Sequence, residues 1–137
     1  MNNYRKGYEL ERKCKKILEE KGWLSVRSPA SKSPLDILAV KGNHKLLIQC
    51  KKTGKEEAYI SGLRELMKTA EKHGAKPLLV YSLNRTGVFV KEVKTDRVKL
   101  NKTGKHQMLE KYLDSLESKD GGIIIGVDEN GDWSESI

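Results

Sequence analysis

Aromatic residues are scarce: one phenylalanine, two tryptophans and five tyrosines make up 6% of the 137 residues. That is poor material for the stacked-base platforms on which single-stranded nucleic acids are held. The two cysteines, Cys14 and Cys50, are too few for a disulfide framework and lack CxxC spacing; they are expected as buried thiols of an intracellular protein. No run approaches the ~20 apolar residues of a membrane span, and the opening residues Met1 to Lys6 lack the apolar core of a signal peptide. Neither a membrane partner nor secretion is expected. His44, His73 and His106 show no ligand spacing with each other or with cysteine, which argues against a zinc site. Gly104 and Gly121-Gly122 form no phosphate-cradling motif, so no nucleotide cofactor is expected. Asp128 to Asp132 resembles the start of a calcium loop, but Trp133 stands where glycine is required, and the stretch is read as a turn. Internal repeats, low-complexity tracts and Pro/Ser-rich linkers are also missing.

What the chain does have is positive charge. Lysine and arginine number 27 against 19 acidic residues, a net charge of +8, which makes a polyanion the first partner to consider. The length suits one domain, residues 1–137, with a core over about 4–95 and a C-terminal helix and strand over about 103–137.

Hydrophobic periodicity outlines the elements. Leu10, Cys14, Ile17 and Leu18 mark an amphipathic helix from about Asn3 to Lys21, stopped by Gly22. Trp23 to Arg27 reads as a strand and Ser28 to Pro34 as a loop. Leu35 to Val40 is nearly all apolar, a strand expected to be covered on both faces. It turns at Gly42-Asn43 into Lys45 to Lys51. Tyr59, Leu63, Leu66, Met67 and Ala70 recur at helical spacing up to Gly74. Pro77 to Leu83 is an apolar strand, turning at Asn84 to Gly87 into Val88 to Val90. Leu109, Tyr112, Leu113 and Leu116 mark a further helix, and Ile123 to Ile125 a short strand. The order predicts an α/β fold with three layers, a central mixed sheet flanked by helices.

Three polar residues stand where these strands should be apolar. Asp36 interrupts one strand, and Gln49 and Lys51 lie two apart on its hairpin partner, on the face opposite Leu46, Ile48 and Cys50. The hairpin brings an aspartate, an amide oxygen and an ammonium together at the end of the sheet. Glu11 projects about 60° from Cys14 and about 20° from Leu18 around the first helix, at the border of its buried stripe. Such a carboxylate either pairs locally, for instance with Lys15, or points into a site beneath the helix. The chemistry that suits the set is phosphodiester hydrolysis with a hard cation. Oxygen ligands bind Mg²⁺, the ion activates water and offsets charge on phosphate oxygens, and a lysine positions the water or bears developing charge.

Arg5-Lys6-Gly7, Glu11-Arg12, Arg27-Ser28 to Ser31, Asp36 and Gln49-Cys50-Lys51, in this order and spacing, resemble the archaeal-type Holliday junction resolvases of the PD-(D/E)XK nuclease superfamily. The resemblance covers roughly residues 4 to 90, with one extra residue between Ser31 and Asp36. It implies a restriction-endonuclease-like core and a homodimer that cuts four-way DNA junctions with Mg²⁺, Mn²⁺ substituting. It further implies that Glu11, Asp36 and the Cys50 backbone carbonyl bind metal, that Lys51 activates or positions water, and that Ser31 lies in a catalytic loop. Gln49 departs from the family pattern, which has glutamate there. An amide oxygen can ligate a metal but brings no charge, so metal affinity should fall. Past about residue 95 no resemblance is found, and the C-terminal helix and strand are expected to be particular to this branch.

Basic residues flank the expected site: Arg5, Lys6, Arg12, Arg27, Lys32 and Lys52 are candidates for contacts to DNA phosphates, which position a duplex without reading bases. The resulting expectation is a Mg²⁺-dependent junction-resolving endonuclease. Two other readings stay open at this point: a superfamily nuclease acting on duplex or flap DNA, and a non-catalytic DNA-binding module in which Gln49 marks a decayed site.

Overall fold

The computed structural model describes residues 3–28, 33–54, 56–83 and 87–121, with side chains from Tyr8 inward at the N-terminal end and up to Leu116. Helix α1 spans Asn3–Glu20. Its end is a Schellman closure: the Trp23 amide returns to the Leu18 carbonyl and the Gly22 amide to that of Glu19, with Gly22 at φ +87°, a conformation that costs glycine little. Strands β1 (Leu24–Arg27), β2 (Ile37–Lys41) and β3 (His44–Thr53) follow as an antiparallel meander. β4 (Glu57–Ile60) and helix α2 (Arg64–Lys72) then carry the chain across to β5 (Lys76–Leu83), parallel to β3. β6 (Phe89–Glu92) returns antiparallel to β5; β7 (Val98–Asn101) pairs with β4 in a separate two-stranded sheet. β8 (Gln107–Met108) borders β6 and leads into α3 (Leu109–Gly121). The main sheet has the order β1-β2-β3-β5-β6-β8, a mixed sheet between helical layers, as expected.

Two cores lie on its faces. Leu10, Cys14 and Leu18 of α1 and Leu109, Tyr112, Leu113 and Leu116 of α3 pack on Ile37, Ala39, Ile48, Cys50 and Val80. On the other face Leu63, Leu66 and Ala70 join Leu47, Leu79, Tyr81, Val98 and Leu100. Helix α3 therefore belongs to the same core as α1.

Several expectations are corrected. Tyr59 belongs to exposed strand β4, not to the second helix, because Gly62 at φ +76° turns the chain before α2 begins. Strands β4, β7 and β8 were not read from the sequence. The β2 strand is not covered on both faces: α2 and the small sheet lie over β3 and β5, leaving Leu24, Val26 and Leu38 exposed at 67%, 52% and 36%. Asp36 precedes β2 instead of lying within the strand. The Asn84 to Gly87 turn (apart from Gly87), the Ile123 to Ile125 strand and the Asp128 to Asp132 turn fall outside the described residues.

Candidate active site

Asp36 is fastened where three strands meet. Its amide donates to the Ile48 carbonyl at 2.7 Å, and its carbonyl accepts from the Ser28 amide at 2.8 Å. Its side-chain Oδ2 accepts from the Cys50 amide at 2.8 Å. The carboxylate thus takes up a β3 amide that β2, beginning one residue later, does not pair. This explains why an aspartate tolerates a place at the head of an apolar strand: one oxygen is spent on the sheet, and the other has no partner among the described residues.

Gln49 and Lys51 follow on β3, in register with Leu79 and Tyr81 of β5. Gln49 is half-buried, Lys51 is exposed, and Lys51 makes no ion pair among the described residues. Alternation along β3 keeps both on the face away from Ile48 and Cys50, which pack beneath α1.

Glu11 reaches the site from α1 and is mostly covered, its side chain 16% exposed. It does not pair with Lys15, which binds Glu19 instead. Glu11 Oε1 accepts from Arg27 Nε at 2.6 Å, and the Arg27 guanidinium lies over the Tyr8 ring at 4.7 Å. Beneath this pair the Cys50 thiol is pushed well up from its ordinary ionisation range. The hydrogen bond with Cys14 contributes most, then burial, then the charges of Asp36 and Glu11.

Among the described residues no cluster of three or more histidine, cysteine, aspartate or glutamate side chains can hold a metal. The donor set expected from the sequence is two carboxylates with an amide oxygen and a backbone carbonyl. Its chemistry fits a hard divalent ion, whose remaining positions water fills, and does not fit a soft one.

Of the expected phosphate contacts, Arg12, Arg27 and Lys52 are exposed. Arg5 and Lys6 lie on α1, but their side chains, like Ser31 and Lys32, lie outside the described residues. The Glu11–Arg27 pair escaped sequence reasoning. Its only sequence signal is that Arg27 ends a strand packed under the helix carrying Glu11.

Comparison with known proteins identifies the family and the fold. The sequence model of the family described as archaeal Holliday junction resolvase (Hjc) matches residues 2–122. It thus reaches through β6 to β8 and α3, beyond the point near residue 95 where motif resemblance ended. The crossover junction endodeoxyribonuclease Hjc of Methanocaldococcus jannaschii is 33% identical over 91 residues, 65% of this chain and 68% of that protein. A solved structure of Archaeoglobus fulgidus Hjc, a Holliday junction resolvase, superposes with a TM-score of 0.67 at 19% identity. The superposition covers 80% of this chain and 96% of the solved one, and it shows a shared fold.

Proposed function

The chain belongs to the archaeal Holliday junction resolvase family and is a crossover junction endodeoxyribonuclease; from that premise we propose that Glu11, Asp36, Gln49 and Lys51 form its active site. The observation that carries this reading is the fixing of the Asp36 carboxylate on the amide of Cys50, the residue between Gln49 and Lys51 on β3. The family works with a divalent metal, and here we take it to be Mg²⁺, with Mn²⁺ as a substitute, held by Glu11, Asp36, the Gln49 amide oxygen and the Cys50 carbonyl. When bound, such an ion supplies Lewis acidity at the scissile phosphate.

The chain's own groups do the rest. Lys51, exposed on β3 and without an ion pair among the described residues, orients the attacking water and offsets charge as the phosphate becomes pentacoordinate. Asp36 keeps its geometry through the sheet, so the set is held before substrate arrives. Arg27 draws Glu11 toward β1 and gives a phosphate contact at the rim, with Arg5, Lys6, Arg12, Lys32 and Lys52 as the others. Ser31 joins the set through the family resemblance alone.

Resolution requires two symmetric cuts, and a domain of this size carries one site, so the working unit is a homodimer. The exposed apolar side chains Leu24, Val26 and Leu38 support a second copy there. In a chain of net charge +8, an uncharged face is where two copies repel each other least.

Cleavage of four-way, flap and linear DNA side by side in Mg²⁺ tests the function. Preferential, paired cutting of the four-way junction is expected. Equal cutting of flap or linear DNA contradicts junction selectivity, and junction binding without any cutting identifies a non-catalytic module.

A further inference from the structure

Tyr8 lies on α1 three residues before Glu11 and four before Arg12, spacings that put all three on one side of the helix. It is part of neither core and stays 38% exposed, so burial does not account for a tyrosine at this place. What its ring meets is arginine. The Arg27 guanidinium lies over the ring at 4.7 Å and that of Arg12 at 6.0 Å. The attraction of a cation to a ring face extends to about 6 Å. Arg27 is therefore the main partner, and Arg12 stands at the limit of reach.

Arg27 is held twice, by the Tyr8 ring and by Glu11, whose Oε1 accepts from Nε at 2.6 Å. The two contacts do not compete, because a guanidinium stacks through its flat face and donates hydrogen bonds through its edge. They support each other. An exposed ion pair is weak largely because a long side chain gives up its freedom to hold one geometry. The Arg27 side chain is 40% exposed, and the ring removes part of that freedom in advance, so the carboxylate meets a donor already in place.

Glu11 is also the carboxylate that an ion would claim, and it can turn to the ion only by leaving Arg27. We propose that Tyr8 is a positioning residue: by seating Arg27 against Glu11 it raises the concentration of divalent cation that the site requires. The proposal rests on the reading of Glu11 as a metal ligand. Its sign follows from reciprocity. An arginine held by ring and carboxylate together holds each more tightly than it would alone, so drawing Glu11 away also weakens the ring contact. Without the ring, that added cost of loading the ion is gone.

The test is the Kd for Mn²⁺ in the absence of DNA, with free Mn²⁺ read by electron paramagnetic resonance. The variants are Tyr8→Ala, Tyr8→Phe, Glu11→Gln, Arg27→Gln and the double variant Tyr8→Ala/Arg27→Gln. Alanine is a good helix former at this exposed place, so α1 is kept. Tyr8→Ala should lower the Kd by about two- to five-fold, the size of an exposed cation–ring contact. Tyr8→Phe, which keeps the ring, should match wild type. The double variant should match Arg27→Gln, because the ring acts only through the arginine. A Kd for Tyr8→Ala that is unchanged or raised overturns the proposal. So does a Tyr8→Phe that behaves as Tyr8→Ala, or an equal fall with Arg27 present and replaced. Glu11→Gln separates the two failures. If it leaves the Kd at the wild-type value, Glu11 is not a ligand and the proposal falls with that reading. If it raises the Kd while Tyr8→Ala changes nothing, the role of Tyr8 alone is overturned.

Discussion

Arg27 Nε and Glu11 Oε1 lie 2.6 Å apart, joining the end of β1 to helix α1 beside the proposed site. The arginine is therefore a rim cation and also a competitor for a carboxylate assigned to the metal. The pair is partly exposed, 40% for arginine, and such pairs are worth about 0.2–1 kcal/mol. Arg27→Gln should lower the Mg²⁺ concentration for half-maximal cleavage by up to about five-fold, while weakening junction binding through a lost phosphate contact. A metal titration of the cleavage rate, beside a binding isotherm, checks both. A raised metal midpoint would mean that the arginine orients Glu11 for the ion.

In the proposed donor set, position 49 sets the charge. Gln49→Glu adds a negative charge, so the Mg²⁺ midpoint should fall; the maximal rate should stay level or drop, because a more neutralised ion is a weaker Lewis acid. Gln49→Ala should raise the midpoint. Lys51→Ala should slow cleavage even at saturating metal. If neither change at position 49 moves the midpoint, Gln49 is not a ligand.

The face left open beside β3 should be the one that dimerises. Val26→Asp with Leu38→Asp places charge among side chains 52% and 36% exposed. It should shift the chain to monomer in light scattering without loss of helical or strand signal. An unchanged dimer would put the interface elsewhere.

Helix α3 should be required for stability. Leu113 is fully buried against the α1 side of the sheet, and truncating such a side chain costs about 2–5 kcal/mol. Denaturant unfolding of Leu113→Ala should show a loss in this range. A loss below about 1 kcal/mol would mean that α3 is an appendage.

The sequence announced those elements whose pattern is local. Helix α1 and strands β1 to β3, β5 and β6 carry their own apolar periodicity or turn residues. β4, β7 and β8 do not. They are short and half polar, and β4 is a strand only because β7, far along the chain, pairs with it. The helical spacing that ran back from Leu63 to Tyr59 was a coincidence that Gly62 breaks. Asp36, Gln49 and Lys51 stood out in the sequence because they interrupt apolar runs, although the structure leaves Asp36 and Gln49 only half-buried and Lys51 exposed. The Glu11–Arg27 pair was hidden because it joins two elements across space, and the i,i+4 partner Lys15 looked as good.

The central claim is that Asp36 carries the metal-assisted chemistry and not the grip on DNA. Asp36→Asn keeps an oxygen that can accept from the Cys50 amide, so the fold and the phosphate contacts should survive. The most direct measurement is cleavage and binding of one labelled four-way junction by wild type and Asp36→Asn in saturating Mg²⁺. The account predicts that the rate falls on the order of 10²-fold or more while the junction Kd stays within about two-fold. Undiminished cutting by Asp36→Asn would contradict it.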